Sequence, residues 1–290
     1  MAVRSFACVA SVAVLAAAAA APTPPVPAAP ADEVAALVKE FNLPPVNPVP
    51  VPPQPGASGG AKDLAATAPG PARLDRLSYT AAALRTYAAD VSPADIVKPE
   101  NRGTYPLRVA VLDAFRTIRE VWGGADEHGL RMEFIGPNSD ELKKQVFAEQ
   151  MFPAEAIAKL EAVVLRLEQA ADRREKETKR WQAHYDYALA QCHTRLVFLY
   201  EYNTALAHIR TESLPSLDAA KGENALRLVP TAKLLGKSDV KALAKRAAAL
   251  YDRIAAAHPG TPWAAAAARD EALALGLRWV PFAAKVGKAD

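Results

Sequence analysis

Between Ala154 and Leu214 the chain contains neither glycine nor proline. Those two residues are the usual punctuation of helices, and most of the residues between them are good or neutral helix formers. At 1.5 Å per residue the span would make a rod of roughly 80 to 90 Å. Ile157, Leu160, Val164, Leu167 and Ala171 recur at three- and four-residue spacing, the period of a packed helix. The stripe fades over Asp172–Arg180, where Glu175 and Lys179 form an i,i+4 pair. It resumes through Trp181, Tyr185, Leu189, Cys192, Leu196, Leu199, Leu206 and Ile209. With no turn residue at the charged interval, the expectation is one very long helix over about 153–212. The alternative is two helices meeting at that interval. The fold class expected is all-α, a helical bundle around this long helix.

The other elements follow from shorter patterns. Arg4 followed by the apolar run Ser5–Ala21, ending in small residues, has the grammar of an export signal. Residues 1–21 are therefore expected to be a signal peptide, cleaved rather than kept as an anchor, leaving no stable transmembrane span. Prolines crowd residues 22–73, which predicts a Pro/Ala-rich disordered linker. Within it Asp32–Phe41 is amphipathic, but so short a helix is marginal alone and reads as a transient element of the spacer. A single α-helical domain is expected over 74–290. Its helices are predicted at Arg76–Ala89, at Pro93 after Ser92, at Tyr105–Trp122, from Asn138 to about Gln150, at Val240–Ala257, and from Pro262 to about Leu275. Leu130–Ile135 alternates as a short strand does, with Ala225–Val229 as its partner. Trp279–Phe282 reads as an apolar tail folding back on the bundle, with a docking peptide as the alternative.

Removing the signal would leave Cys192 as the sole cysteine, so packing and not an intramolecular disulfide must supply stability. The net charge of +3 and the absence of a dense basic patch argue against nucleic acid as a partner. The chain has no phosphate-binding glycine loop, no H-E-x-x-H and no G-x-S-x-G. His184, Cys192, His193 and His208 are the best metal-ligand candidates. Cys192 and His193 point about 100° apart on one helix, so other segments would have to close a site, with His128 and His258 as the remaining histidines. The reading is of a buried thiol and helix-surface imidazoles, with no metal and no cofactor. Trp181, Tyr185, Tyr187, Tyr200 and Tyr202 crowd the second half of the long helix. They are read as core. The competing reading is a weak interaction surface of Trp181, Tyr185, Tyr187, Tyr202 and Trp263, able to stack on a sugar or peptide. Glu177, Glu201 and Glu212 are the carboxylates considered for acid–base work, and each would need a partner from another helix.

Ala247, Tyr251, Ile254 and Pro259, followed by Trp263, resemble the second helix of a tetratricopeptide repeat and the opening of the next. The likeness covers Val240–Leu275 and implies a repeat-like helical hairpin at 240–275. Isoleucine replaces the usual small residue at 254, and Ala266 and Asp270 depart from the repeat's leucine and tyrosine, so no superhelix is implied. The segments TYPLRVAVLDAFRTIRE, KRWQAHYDYALAQ, FLYEYNTALAHIR and HPGTPWA resemble an uncharacterised group of exported, helix-rich bacterial proteins of planctomycete type. That resemblance implies export and a helical fold, but no activity. The expectation is an exported, non-catalytic protein of the periplasm or cell envelope. It would act in protein–protein interaction or scaffolding, with another envelope protein as partner and homo-oligomers allowed. The alternatives are a cell-wall-sugar or small-ligand binder, and an enzyme with an unrecognised site.

Overall fold

The computed structural model describes residues 27–44, 46, 74–75, 77–123, 130–136, 139–149, 151–208 and 214–284. The stretch expected to be a signal peptide, most of the expected linker and His128 lie outside the described residues. The chain is mostly helical with one small sheet, and among the described residues no helix is long and apolar enough to cross a membrane.

The helices are α1 (Ala31–Phe41), α2 (Ala81–Arg85), α3 (Pro93–Ile96), α4 (Pro106–Gly123), α5 (Ser139–Ala148), α6 (Met151–Gln169), α7 (Lys179–Ala207), α8 (Ser238–Ala257) and α9 (Pro262–Glu271). The strands are β1 (Glu133–Ile135), β2 (Ala225–Thr231) and β3 (Gly276–Phe282).

The expected long helix is corrected to two. After Gln169 the chain passes through a 3-10 turn at Ala171–Lys176, and Glu177 and Thr178 take extended backbone before α7 begins. In a straight helix Tyr200 and Glu161 would stand about 58 Å apart. Here the Tyr200 hydroxyl donates to Glu161 Oε1 at 2.5 Å, and Tyr185 donates to the Leu167 carbonyl at 3.2 Å. The rod is therefore folded in half as an antiparallel pair. Competition at the joint explains this. A Glu175–Lys179 pair supports a helix by only about 0.2–0.5 kcal/mol. Folding back lets Arg174 bond Asp186 in two places, at 2.7 and 2.5 Å, and lets Glu177 accept from Arg108 of α4 at 2.8 Å. The first contact cannot form in a rod, where Arg174 and Asp186 would stand about 18 Å apart along the axis.

Helix α7 is central. Nearly every residue from Arg180 to Phe198 is buried, on all sides of the helix. α4, α6, α8 and α9 pack around it. Its C-terminal half lies under the sheet, where Phe198, Tyr202 and Leu206 meet Phe134, Leu226, Leu228, Leu277 and Trp279. The sheet is antiparallel in the order β1-β2-β3, with Glu133 opposite Arg227 and Arg227 opposite Val280. The expected pairing of β1 with β2 is present. The tail expected to fold back does so as a third strand, in which Leu277 and Trp279 are buried and Arg278 is exposed. Pro281, which lacks a donor, is tolerated because β3 is an edge strand.

Two further expectations at the N-terminal side change. The helix expected over Arg76–Ala89 contracts to α2. The backbone just before it is occupied by an extended segment: Ala29 donates to the Tyr79 carbonyl at 2.7 Å and Ala81 to that of Pro27 at 3.1 Å. The amphipathic stretch assigned to the spacer is part of the folded body. Val34, Leu37, Val38 and Phe41 of α1 are buried in the main core, and Phe41 stacks on Trp263 with ring centroids 5.3 Å apart. Marginal alone, α1 is held by tertiary packing. At the far end, α9 stops at Glu271, short of the expected Leu275, because the chain must turn into β3.

Phe41→Ala should lower the stability of the whole domain by about 3–5 kcal/mol in equilibrium urea unfolding, the usual cost of emptying a buried phenylalanine site. A change below about 0.5 kcal/mol would return α1 to the role of a surface spacer.

Candidate functional site

The unusual feature of α7 is that it buries polar groups on every side. Arg180, Gln182, His184, Asp186, Gln191, His193, Thr194, Arg195 and Glu201 are all buried. A buried polar group without a partner costs on the order of 1–3 kcal/mol, so the partners decide what these residues can do.

At the N-terminal end, Glu40 of α1 accepts from Arg180 Nη2 at 2.5 Å and approaches His184 Nε2 at 3.3 Å. Trp263 Nε1 donates to His184 Nδ1 at 3.3 Å, which fixes the tautomer with the proton on Nε2, facing Glu40. Burial would raise the Glu40 carboxyl, but the bonds from His184 and Arg180 hold it below its ordinary value. Burial pushes His184 down despite Glu40, and Phe41, Phe115, Trp181 and Trp263 surround its ring.

Two residues on, Asp186 has a fully buried side chain and accepts from Arg174 of the joint and from Arg253 Nη2 of α8, the latter at 2.6 Å. Further along, Asp270 of α9 accepts from Tyr187 at 2.7 Å, Gln191 at 2.6 Å and Arg269 at 2.6 Å. Gln191 also reaches the Tyr251 hydroxyl at 2.8 Å and is bonded by Arg195, whose other nitrogen reaches the Pro44 carbonyl at 2.5 Å. Near the C-terminal end, Glu201 accepts the backbone N–H groups of Leu235 at 2.7 Å and Gly236 at 2.6 Å. A side chain at Gly236 would meet Glu201 Oε1 at 2.8 Å, so glycine is what lets this loop close on the carboxylate.

The structure scatters the metal candidates among different partners. His184 is in the Glu40 cluster. Cys192 is fully buried, and burial raises its thiol to about 12, out of reach as a thiolate nucleophile. His193 is buried and pushed down to about 4. His208 follows the end of α7. Among the described residues no group of three or more His, Cys, Asp or Glu side chains is placed to hold an ion. The imidazoles expected on a helix surface are buried at 184 and 193, a correction that follows from α7 being enclosed.

The interaction surface of Trp181, Tyr185, Tyr187, Tyr202 and Trp263 is likewise corrected: all five are buried, each at 3 % exposure or less. Tyr185, Tyr187 and Tyr202 direct their hydroxyls to Leu167, Asp270 and Arg131, as tyrosines in a core do. Of the carboxylates considered, Glu177 and Glu201 are tied to Arg108 and to the 235–236 loop, and Glu212 lies outside the described residues. Sequence reasoning missed Glu40, Asp186, Asp270 and Arg195. The first sits in a stretch read as spacer, Asp186 and Arg195 stand where a one-sided helix would expose them, and Asp270 falls on the same face of α9 as Trp263, Ala266 and Ala267.

A surface depression of about 550 Å³ lies beside the start of α1, lined by Ala28, Asp32, Val34, Asp75, Leu77 and Tyr79 among others. None of the α7 polar groups lines it. The polar residues of α7 thus bind helices to one another, and none of them opens into this depression.

His193 and His258 are held near 4 in the folded chain and titrate near 6.5 when unfolded. Between those values the unfolded chain binds more protons, so stability is full above about pH 6.5 and drains as pH falls toward about 4. His184, also depressed, acts in the same direction. Glu40 adds stability present above its unfolded value and lost as pH falls through its lower folded one. Urea midpoints should fall steeply from pH 6.5 to 4, and His193→Gln should flatten that slope. A flat profile would contradict the burial of these imidazoles.

Compared with known proteins, the chain matches no family model, no curated protein and no solved structure.

Proposed function

We propose that this is an exported, non-catalytic helical protein working as a protein–protein interaction or scaffolding module of the periplasm or cell envelope. One observation carries the reading. Three sets of polar side chains at the centre of the molecule, Glu40–Arg180–His184, Arg174–Asp186–Arg253 and Tyr187–Asp270–Gln191, are bonded to one another, while His193 Nδ1 and His258 Nε2 are buried without a hydrogen-bond partner. Such bonded sets make a core rigid and specific, which suits a module whose outer faces do the work.

The C-terminal hairpin supports the same reading. Ala247, Tyr251 and Ile254 of α8 are buried, His258–Gly260 turns the chain, and Trp263 enters the core at the start of α9. This packing supports the reading of a tetratricopeptide-like pair, here seated on α7 instead of on further repeats. Export rests on the charge and apolar pattern of Arg4–Ala21.

The test is cell fractionation followed by cross-linking capture of the tagged chain in its own cells. The expected result is a product shortened near Ala21 in the envelope or periplasmic fraction, cross-linked reproducibly to one envelope protein. A full-length cytoplasmic product would contradict the localisation. Turnover of an envelope polymer by the purified protein, lost in Glu201→Gln with the fold retained, would contradict the non-catalytic reading.

A further inference from the structure

Helix α6 buries one face and leaves the other bare. Ala156, Leu160, Val163 and Leu167 are buried against the bundle. On the opposite side, Met151, Ala154, Ala158, Ala162 and Leu165 fall within about 40° of one line at 100° per residue. All five are exposed, Met151 at 82 % and Leu165 at 56 %. Met151, Ala158 and Leu165 are spaced by seven, the interval of a helix-pairing seam, and the alanines between them let a second helix approach closely.

The charges beside the seam differ by side. At 100° per residue Glu155, Lys159 and Arg166 stand on one flank, and Glu161 and Glu168 on the other. Lys159 is paired with Glu155 at 2.7 Å, which leaves Arg166 as the net positive charge of its flank. Two copies of α6 related by a two-fold axis can meet in two ways. If they run antiparallel, each flank meets its own kind, basic against basic and acidic against acidic. If they run parallel, the basic flank of each copy meets the acidic flank of the other. Arg166 then stands opposite Glu168, and Lys159 opposite Glu161, each offset by two residues or about 3 Å along the axis.

We infer that the outer face of α6 pairs with a second copy of this chain, in parallel, with Met151, Ala158 and Leu165 each meeting their own counterpart. This goes beyond the proposed function and needs no envelope partner. The seam is only about 21 Å long. Stable interfaces bury roughly 800 Å² per partner, so this contact is weak and forms at high local concentration.

Sedimentation equilibrium of the full chain from about 10 µM to about 1 mM should show a reversible monomer–dimer equilibrium, as mass action requires of a weak contact. Leu165→Glu and Arg166→Glu should each weaken it about tenfold or more, because each sets a charge against an apolar or like-charged neighbour. The double change Arg166→Glu with Glu168→Arg should restore it, since the two facing positions exchange charge together. Leu165→Cys in a Cys8→Ser background should cross-link to its own counterpart on mild oxidation. A chain that stays monomeric throughout overturns the proposal. So does a dimer indifferent to Leu165→Glu, or cross-linking found only between Met151→Cys and Leu165→Cys chains, which would mark an antiparallel contact.

Discussion

Two arginines converge on the buried carboxylate of Asp186, and the arrangement of the helices depends on them. Arg174 comes from the joint between α6 and α7, and Arg253 from α8. One acidic side chain thus fixes the fold-back of the chain and seats the C-terminal hairpin on the same helix. A buried pair of this kind adds little net stability compared with an apolar core, yet breaking it leaves a charge stranded at a cost of about 3–5 kcal/mol. Its effect is to select one arrangement. A hairpin register that moved Arg174 away from Asp186 would abandon both partners. The Asp270 and Glu40 clusters act alike, tying α9 and α1 to α7.

Much of the secondary structure was legible from the chain. The helix α4, the end of α8 at Ala257, the caps at Ser92 and Thr261, and the pairing of β1 with β2 are local features, written in periodicity and in capping and breaking residues. What was not legible depends on distant partners. Nothing within Asp172–Arg180 forbids a helix, and the bend is decided by Asp186, Arg108 and the packing of α6 on α7. Leu277-Arg278-Trp279 alternates as a strand does, but three residues between a helical pattern and an apolar tail are too few to mark one. The short α1 looked marginal because its stability comes from Trp263, more than two hundred residues away in sequence.

The polar side chains of the core were the hardest to place. On a one-sided helix, His184, Asp186, Gln191, His193 and Arg195 belong to solvent. They are buried because α7 is enclosed by α4, α6, α8, α9 and the sheet, a fact of tertiary structure that no single-helix pattern contains. The same enclosure separates residues that looked like a ligand set. It also withdraws the aromatic residues from any surface role and leaves the outer face of α6 as an apolar seam.

The central claim is that residues 151–207 form an antiparallel pair and not a rod. Pulsed electron–electron resonance between spin labels at Ala162→Cys and Asn203→Cys, in a Cys8→Ser background with the buried Cys192 unreactive, measures it directly. The folded-back chain predicts a separation under about 25 Å, whereas a continuous helix would place the labels about 62 Å apart. A distribution centred near the longer distance would contradict the account.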